Sequence, residues 1–206
     1  GPVIHAAATR ALAGGAGLDS VLELGATVAA RAPVIVMAYA NMVLARGVGP
    51  FADALAEAGL AGAIVPDLPP EEAVELCAAF TARGLALIPL VAPTTPAERR
   101  RSICGAAQGF VYVVSDTRTT GERDSLPPEL ADLVAAVKAD APVPVAVGFG
   151  IGTPEQAAAV GRMADGVIVG SRLVRAVAEA GSPASAAKAV SGFIADARHR
   201  MSSSVP

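Results

Sequence analysis

Two glycine-bearing segments, each placed where a helix should begin, hold the clearest chemistry in this sequence. Gly148-Phe149-Gly150-Ile151-Gly152 follows one short apolar run, and Gly170-Ser171 follows the next. Glycine lets a backbone approach an anion closely, and a helix N-terminus aims unpaired N–H groups at it. Gly170-Ser171 directly precedes the helical pattern of Arg172–Ala180, so amides and a hydroxyl can converge on a phosphate. Thr120-Gly121 offers a third such point. The bland alternative is that these glycines only make tight turns. One such loop alone would favour turns; two successive loops together with Thr120-Gly121 favour a phosphate. The GFGIG run does not fit G-x-G-x-x-G, which speaks against a dinucleotide.

Acid–base candidates are fewer. Asp67 follows an apolar run and could act as a carboxylate base, or equally cap the turn into Pro69-Pro70-Glu71-Glu72. Asp116 reads as solvated. Tyr39 and Tyr112, the two tyrosines, fall near strand ends and could line a pocket or simply pack in the core. No Ser-His-Asp or Cys-His arrangement is visible. Cys77 and Cys104 form no CxxC pair, and His5 and His199 lie at opposite ends. A zinc site or disulfide framework is therefore not expected, and both cysteines read as small buried hydrophobes.

The elements that must position these residues are short β-branched runs alternating with Ala-rich helical segments. The runs are Val34–Met37, Ala63–Val65, Leu85–Ile88, Phe110–Val114, Val143–Val147 and Gly166–Val169. They are continuously apolar, as for parallel strands covered on both faces. Capping boxes are expected at Ser20–Glu23, Thr95–Glu98 and Thr153–Gln156, the last two with Pro at the first helical position. Gly59 and Gly84 stand where left-handed C-terminal caps would fall. Later helices are expected over 128–139, 171–180 and 183–200, with a fraying tail from Met201 to Pro206. Gly1 to Gly15 reads as a loop running into a helix. Six strand–helix units suit a (β/α) barrel or a doubly wound sheet. Phosphate sites of eight-fold barrels use the loops after the last two strands and a helix N-terminus, as the glycines here do.

Composition narrows the function classes. The 206 residues carry 16 Lys+Arg and 19 Asp+Glu, a net charge of −3, with 53% hydrophobic and 17% charged residues. Such a chain is globular, not disordered. A mildly acidic balance argues against nucleic acid as a partner, and Arg99-Arg100-Arg101 reads as a solvated helix face. No apolar stretch approaches the roughly 18 residues of a membrane span, and no signal segment opens the chain, so a cytoplasmic protein without membrane contact is expected. One domain over 1–206 is the expectation.

With those loops in order, the sequence resembles the alpha subunit of tryptophan synthase. The matching stretches are GPVIHAAATRAL, VIVMAYANMV, AGAIVPDLPPEE, GFVYVVSDTRTTG, VAVGFGIGTPEQ and GVIVGSRLV. The resemblance implies an α/β fold, a TIM (β/α)8 barrel of which this chain holds about six of the eight βα units. It implies a lyase reaction of tryptophan biosynthesis: retro-aldol cleavage of indole-3-glycerol phosphate to indole and glyceraldehyde 3-phosphate. Indole then passes to the beta subunit of a heterotetramer, which holds the pyridoxal phosphate (PLP); no cofactor or metal is implied for this chain. By the same resemblance, Gly121, Gly148, Gly150, Gly170 and Ser171 hold the phosphate. Tyr112 lines the substrate pocket, and Ile4, Met37 and Tyr39 flank the indole. Thr120 helps position the catalytic aspartate, and Asp67 supports the active site and the subunit contact.

The departures set a second expectation. The family's catalytic Glu and Asp belong to the end of the second barrel strand and to the position just before the opening Gly-Pro, so both are expected upstream of Gly1. One shuttles protons at the indole ring, and the other takes the indole N–H proton as the bond breaks. The domain is then N-terminally incomplete by roughly 60 residues, and an open arc of strands exposes two sheet edges. The alternative function is a truncated, non-catalytic phosphate-binding or regulatory chain that docks on the beta subunit. Smaller departures are His5, where the family usually has Gln, and Asp116-Thr117-Arg118 in a loop that is commonly smaller.

Overall fold

Continuous apolar runs fold here as parallel strands with helices on their outer face. The computed structural model describes residues 1–115, 127–148 and 150–203. Two helices come first, α1 (Pro2–Ala13) and α2 (Leu18–Ala29), followed by β1 (Ile35–Met37), α3 (Ala40–Arg46) and α4 (Val48–Glu57). Then come β2 (Gly62–Ile64), α5 (Val74–Thr81), β3 (Ala86–Leu87), β4 (Leu90–Val91) and α6 (Ala97–Gly105). β5 (Val111–Val114), α7 (Leu130–Asp140), β6 (Val145–Gly148) and α8 (Pro154–Gly161) precede β7 (Gly166–Val167), α9 (Ser171–Glu179) and α10 (Pro183–Ser202).

Every strand pair is parallel, in the order β1-β2-β3 and β4-β5-β6-β7. The expected strand Leu85–Ile88 is thus two short strands on either side of Ile88-Pro89. The reason is local: proline has no N–H to give to a ladder. The Ile88 amide still donates to Ala63 O on the β2 side at 2.9 Å, while Pro89 O accepts from Tyr112 N on the β5 side at 2.9 Å. The chain hands its pairing from one neighbour to the next, and the six runs form one continuous arc of a (β/α)8 barrel.

Strand alternation sorts the side chains. Ile64, Ile88 and Tyr112 are buried together on the inner face, with Ile35, Leu90, Phe110 and Ile168 beside them. Two outer cores lie under the helices. The first joins Val36, Ala63 and Val65 to Leu55, Phe51 and Phe80, whose rings stack with centroids 6.2 Å apart. The second joins Val111, Val113, Val145 and Val147 to Val134, Val137, Val160 and Phe193. Each fully buried side chain of this size contributes about 2 kcal/mol.

Several local expectations shift by a few residues. Thr153 caps α8 as expected, with Gln156 Oε1 accepting from Thr153 N at 3.2 Å. Gly59 and Gly84 take positive φ, 71° and 68°. Ser20, however, is the third residue of α2; the cap is Gly17, whose amide donates to Ser20 Oγ at 3.0 Å. Thr95 Oγ accepts from Ala92 N at 3.0 Å, and Pro96 occupies the cap of α6 without a side-chain bond. Gly1 to Gly15 is mostly helix α1. Arg100 is no solvated side chain: its Nε donates to Asp140 Oδ2 at 2.7 Å in a largely buried pair that ties α6 to α7. Cys104 is buried but Cys77 is exposed. No helix among the described residues is long and apolar enough to cross a membrane.

Candidate functional site

Parallel α/β sheets bind ligands at the carboxyl ends of their strands, and Tyr39, Asp67, Gly148 and Gly170 stand at or just beyond such ends. Pairing of β6 with β7, Val147 opposite Val167, sets the Gly148 loop beside the Gly170 loop. Pairing of β5 with β6 places Val114 opposite Gly148, and Ser115 N donates to Gly148 O at 3.1 Å. Ser115 is itself buried, a strand-end hydroxyl that the sequence patterns did not single out.

Two of the glycines, Gly148 and Gly150, are required, each for its own reason. A side chain on Gly148 would overlap the phenol ring of Tyr112. Gly150 has φ 87°, which L-residues with a Cβ rarely adopt. At Gly170 φ is −116°, and no described atom lies within 4 Å of where a Cβ would stand. Nothing in the described fold requires glycine there. What its bareness leaves is open space in front of α9, whose first amides, Ser171 and Arg172, precede the helix's own acceptors. Leu173 N and Val174 N already donate to Gly170 O at 2.9 and 3.1 Å. Thr120 and Gly121 lie outside the described residues.

Tyr112 points to the inner face and is 4% exposed. Burial pushes its phenol from the ordinary 10.0 up to about 12, so it stays a neutral hydroxyl at any physiological pH. Met37 pairs with Ile64, the inner-face neighbour of Tyr112, and remains 53% exposed. Tyr39 caps α3 and is 62% exposed, so neither it nor Met37 is covered by described residues. Ile4 lies on α1, a helix with no buried residue, and α1 packs against α9 at the far end of the arc. The N-terminal helix thereby reaches the element that begins with Ser171.

Asp67 resolves in favour of a cap, though not of its own turn. Its Oδ1 accepts from Ala40 N at 2.9 Å, giving α3 the side-chain acceptor that Tyr39 cannot supply. The loop after β2 thus fixes the loop after β1. Beneath it, a cavity of about 550 Å³ between α5 and α6 is lined by Leu68, Cys77, Ile103 and Arg99. Its lining also includes Asp67, Ile88 and Leu90 and none of the glycine loops. No group of three or more His, Cys, Asp or Glu suited to a metal occurs among the described residues.

Comparison with known proteins follows this geometry closely. The family model described as tryptophan synthase alpha chain matches residues 1–203. The chain belongs to the tryptophan synthase alpha chain family. The alpha chain of Carboxydothermus hydrogenoformans is 50% identical over 181 residues, covering 86% of this chain and 67% of the relative. That of Trichormus variabilis is 45% identical over 196 residues, covering 94% and 73%. Among solved structures, Mycobacterium tuberculosis tryptophan synthase superposes with TM-score 0.88 at 37% identity, over 98% of this chain and 75% of that one. Legionella pneumophila tryptophan synthase subunit alpha gives 0.86 at 38%, over 98% and 76%. The chain therefore spans about two thirds to three quarters of these tryptophan synthase alpha relatives, and its fold is part of their TIM barrel.

One charged residue beside the glycine loops was not singled out by the sequence reading. Arg172 is the second residue of α9, and its guanidinium lies 5.4 Å from the centroid of the Phe193 ring on α10. A cation in the first turn of a helix runs against the helix dipole, and that was the available signal.

Proposed function

We propose that this chain serves the lyase half of tryptophan synthase, binding indole-3-glycerol phosphate for cleavage to indole and glyceraldehyde 3-phosphate. Gly121, Gly148, Gly150, Gly170 and Ser171 surround the phosphate. Tyr112 lines the pocket, and Ile4, Met37 and Tyr39 flank the indole. Retro-aldol cleavage needs a proton delivered to the ring carbon and the proton of the adjoining side-chain hydroxyl removed as the aldehyde forms, the indole N–H proton being given up and regained on the way. In this reading a Glu and an Asp of the family's pattern carry those proton transfers. Thr120 then helps to position that Asp, and Asp67 acts as a support through its bond to Ala40 N. The chain itself needs no cofactor; the pyridoxal phosphate belongs to the beta subunit, which receives the indole. The proposed setting is the cytoplasm.

The observation that carries this reading is the open space at Gly170, in front of the first amides of α9 and beside the Gly148 loop. Indole-propanol phosphate, a non-cleavable mimic, should raise the thermal unfolding midpoint of the protein. Gly170→Asp should abolish that protection by placing a carboxylate where the phosphate sits. Protection that survives Gly170→Asp would overturn the phosphate assignment.

The alternative is a non-catalytic chain that docks on the beta subunit, and it rests on Asp67, whose carboxylate is engaged in capping. Adding the chain to purified beta subunit separates the two readings. Faster tryptophan formation from supplied indole, with no cleavage of indole-3-glycerol phosphate, would favour docking alone.

A further inference from the structure

The first turn of α9 carries Arg172 and no acidic residue. Backbone amides at a helix start already carry positive partial charge, so a guanidinium in that turn is repelled by its own helix. Its place is maintained by packing. The guanidinium lies over the Phe193 ring at 5.4 Å, and Phe193 is anchored in the outer core at 8% exposure. Arg172, Lys188 and Phe193 line a shallow cleft with Gly152, Thr153 and Asp196. Glu155, which also borders it, is paired with Arg200 at 2.9 Å. The start of α8 gives the cleft no free amide, since Gly152 N and Thr153 N both donate to Gln156 Oε1 at 2.8 and 3.2 Å. The loop after β6, the start of α9 and the middle of α10 thus meet at Arg172, the residue that follows Ser171 in the first turn of α9.

We propose that Arg172, held over Phe193, is a positioning and charge-supplying residue of the phosphate site, and sets its affinity for a phosphate monoester dianion. This rests on the phosphate reading of Gly170 and Ser171. The arrangement is unfavourable for the helix alone and becomes favourable once a dianion sits at its start. A dianion there attracts both the cation and the amides, which otherwise only repel each other. A purely structural role would put the benefit of Arg172 in the ligand-free protein; a role at the phosphate puts it in the bound one.

Isothermal titration with inorganic phosphate at several salt concentrations tests this, using the wild type, Arg172→Gln, Arg172→Lys and Phe193→Leu. Arg172→Gln should weaken phosphate binding about threefold to tenfold and flatten its salt dependence. Its ligand-free unfolding midpoint should stay within about 2 °C of the wild type. Arg172→Lys keeps the charge and should keep the salt dependence. Phe193→Leu keeps the charge but releases its hold, and should weaken binding about twofold to threefold. Arg172→Gln binding phosphate as tightly as the wild type would overturn the inference while leaving the phosphate site standing. So would a Gln variant that loses ligand-free stability in step with affinity. A wild type that binds no phosphate would overturn both.

Discussion

Tyr112 ties the chemistry of one side chain to the stability of the whole protein. Its ring is packed against the backbone of Gly148, and burial raises its phenol from 10.0 to about 12. The folded protein therefore holds that proton more tightly than the unfolded chain does. Where the unfolded state binds fewer protons, stability falls as pH rises. The stabilisation from keeping Tyr112 neutral is complete below pH 10 and is lost progressively towards pH 12. Two units correspond to about 2–3 kcal/mol. Spectrophotometric titration at the phenolate band should show the Tyr112 absorbance only well above pH 10 in the folded protein. Tyr112→Phe should flatten the loss of stability across that window. A Tyr112 signal that titrates at its ordinary value would mean that water reaches the ring. The same residue shows what a sequence can and cannot disclose. A tyrosine amid Val111, Val113 and Val114 reads as a strand residue, but its contact with position 148 depends on which strand lies next to which.

At the scale of elements, the signals that worked were those complete within a few residues. Thr153-Pro154-Glu155-Gln156 contains both the cap and its reciprocal partner, and folds as it reads. Ser20 failed because a glycine three residues earlier takes the cap and Ser20 bonds back to it. Arg100 failed because its partner, Asp140, is brought close only by the packing of α6 on α7. The partner of Asp67 was out of the sequence's reach for the same reason, Ala40 being brought to it by the pairing of β1 with β2. That bond makes a prediction. Asp67→Ala removes the side-chain acceptor at the start of α3 and should cost about 1 kcal/mol in urea unfolding. Asp67→Asn retains a side-chain oxygen able to accept the bond and should cost far less. Equal losses for the two would show that Asp67 acts through its charge and not as a cap.

Across the whole molecule, the six apolar runs and their order were legible because fully covered parallel strands leave no polar alternation to confuse the reading. The glycines proposed to hold the phosphate after β6 and β7 were singled out through their position after the last two runs. Arg172 was not, since its meaning depends on a ring in another helix. The arc places β5 between two paired neighbours, while β1 is paired with β2 alone among the described residues. Amide hydrogen exchange should accordingly be slowest in Val111–Val114 and much faster in Ile35–Met37. Equal protection in both would mean that β1 is covered by something that pairs with it, in solution, as a neighbouring strand would.

Pro89 divides this arc more deeply than the pairing alone suggests. The strands before it bury their outer faces in one core and those after it in another, and the two are joined chiefly through the inner-face cluster around Ile88. Cooperativity can therefore be lost at that seam. The glycine loops and α9 belong to the later half, so a ligand at the phosphate site acts on only one of the two units directly. Saturating phosphate should split a single melting transition into two, delaying the loss of the β4–β7 half while the β1–β3 half unfolds at its own temperature.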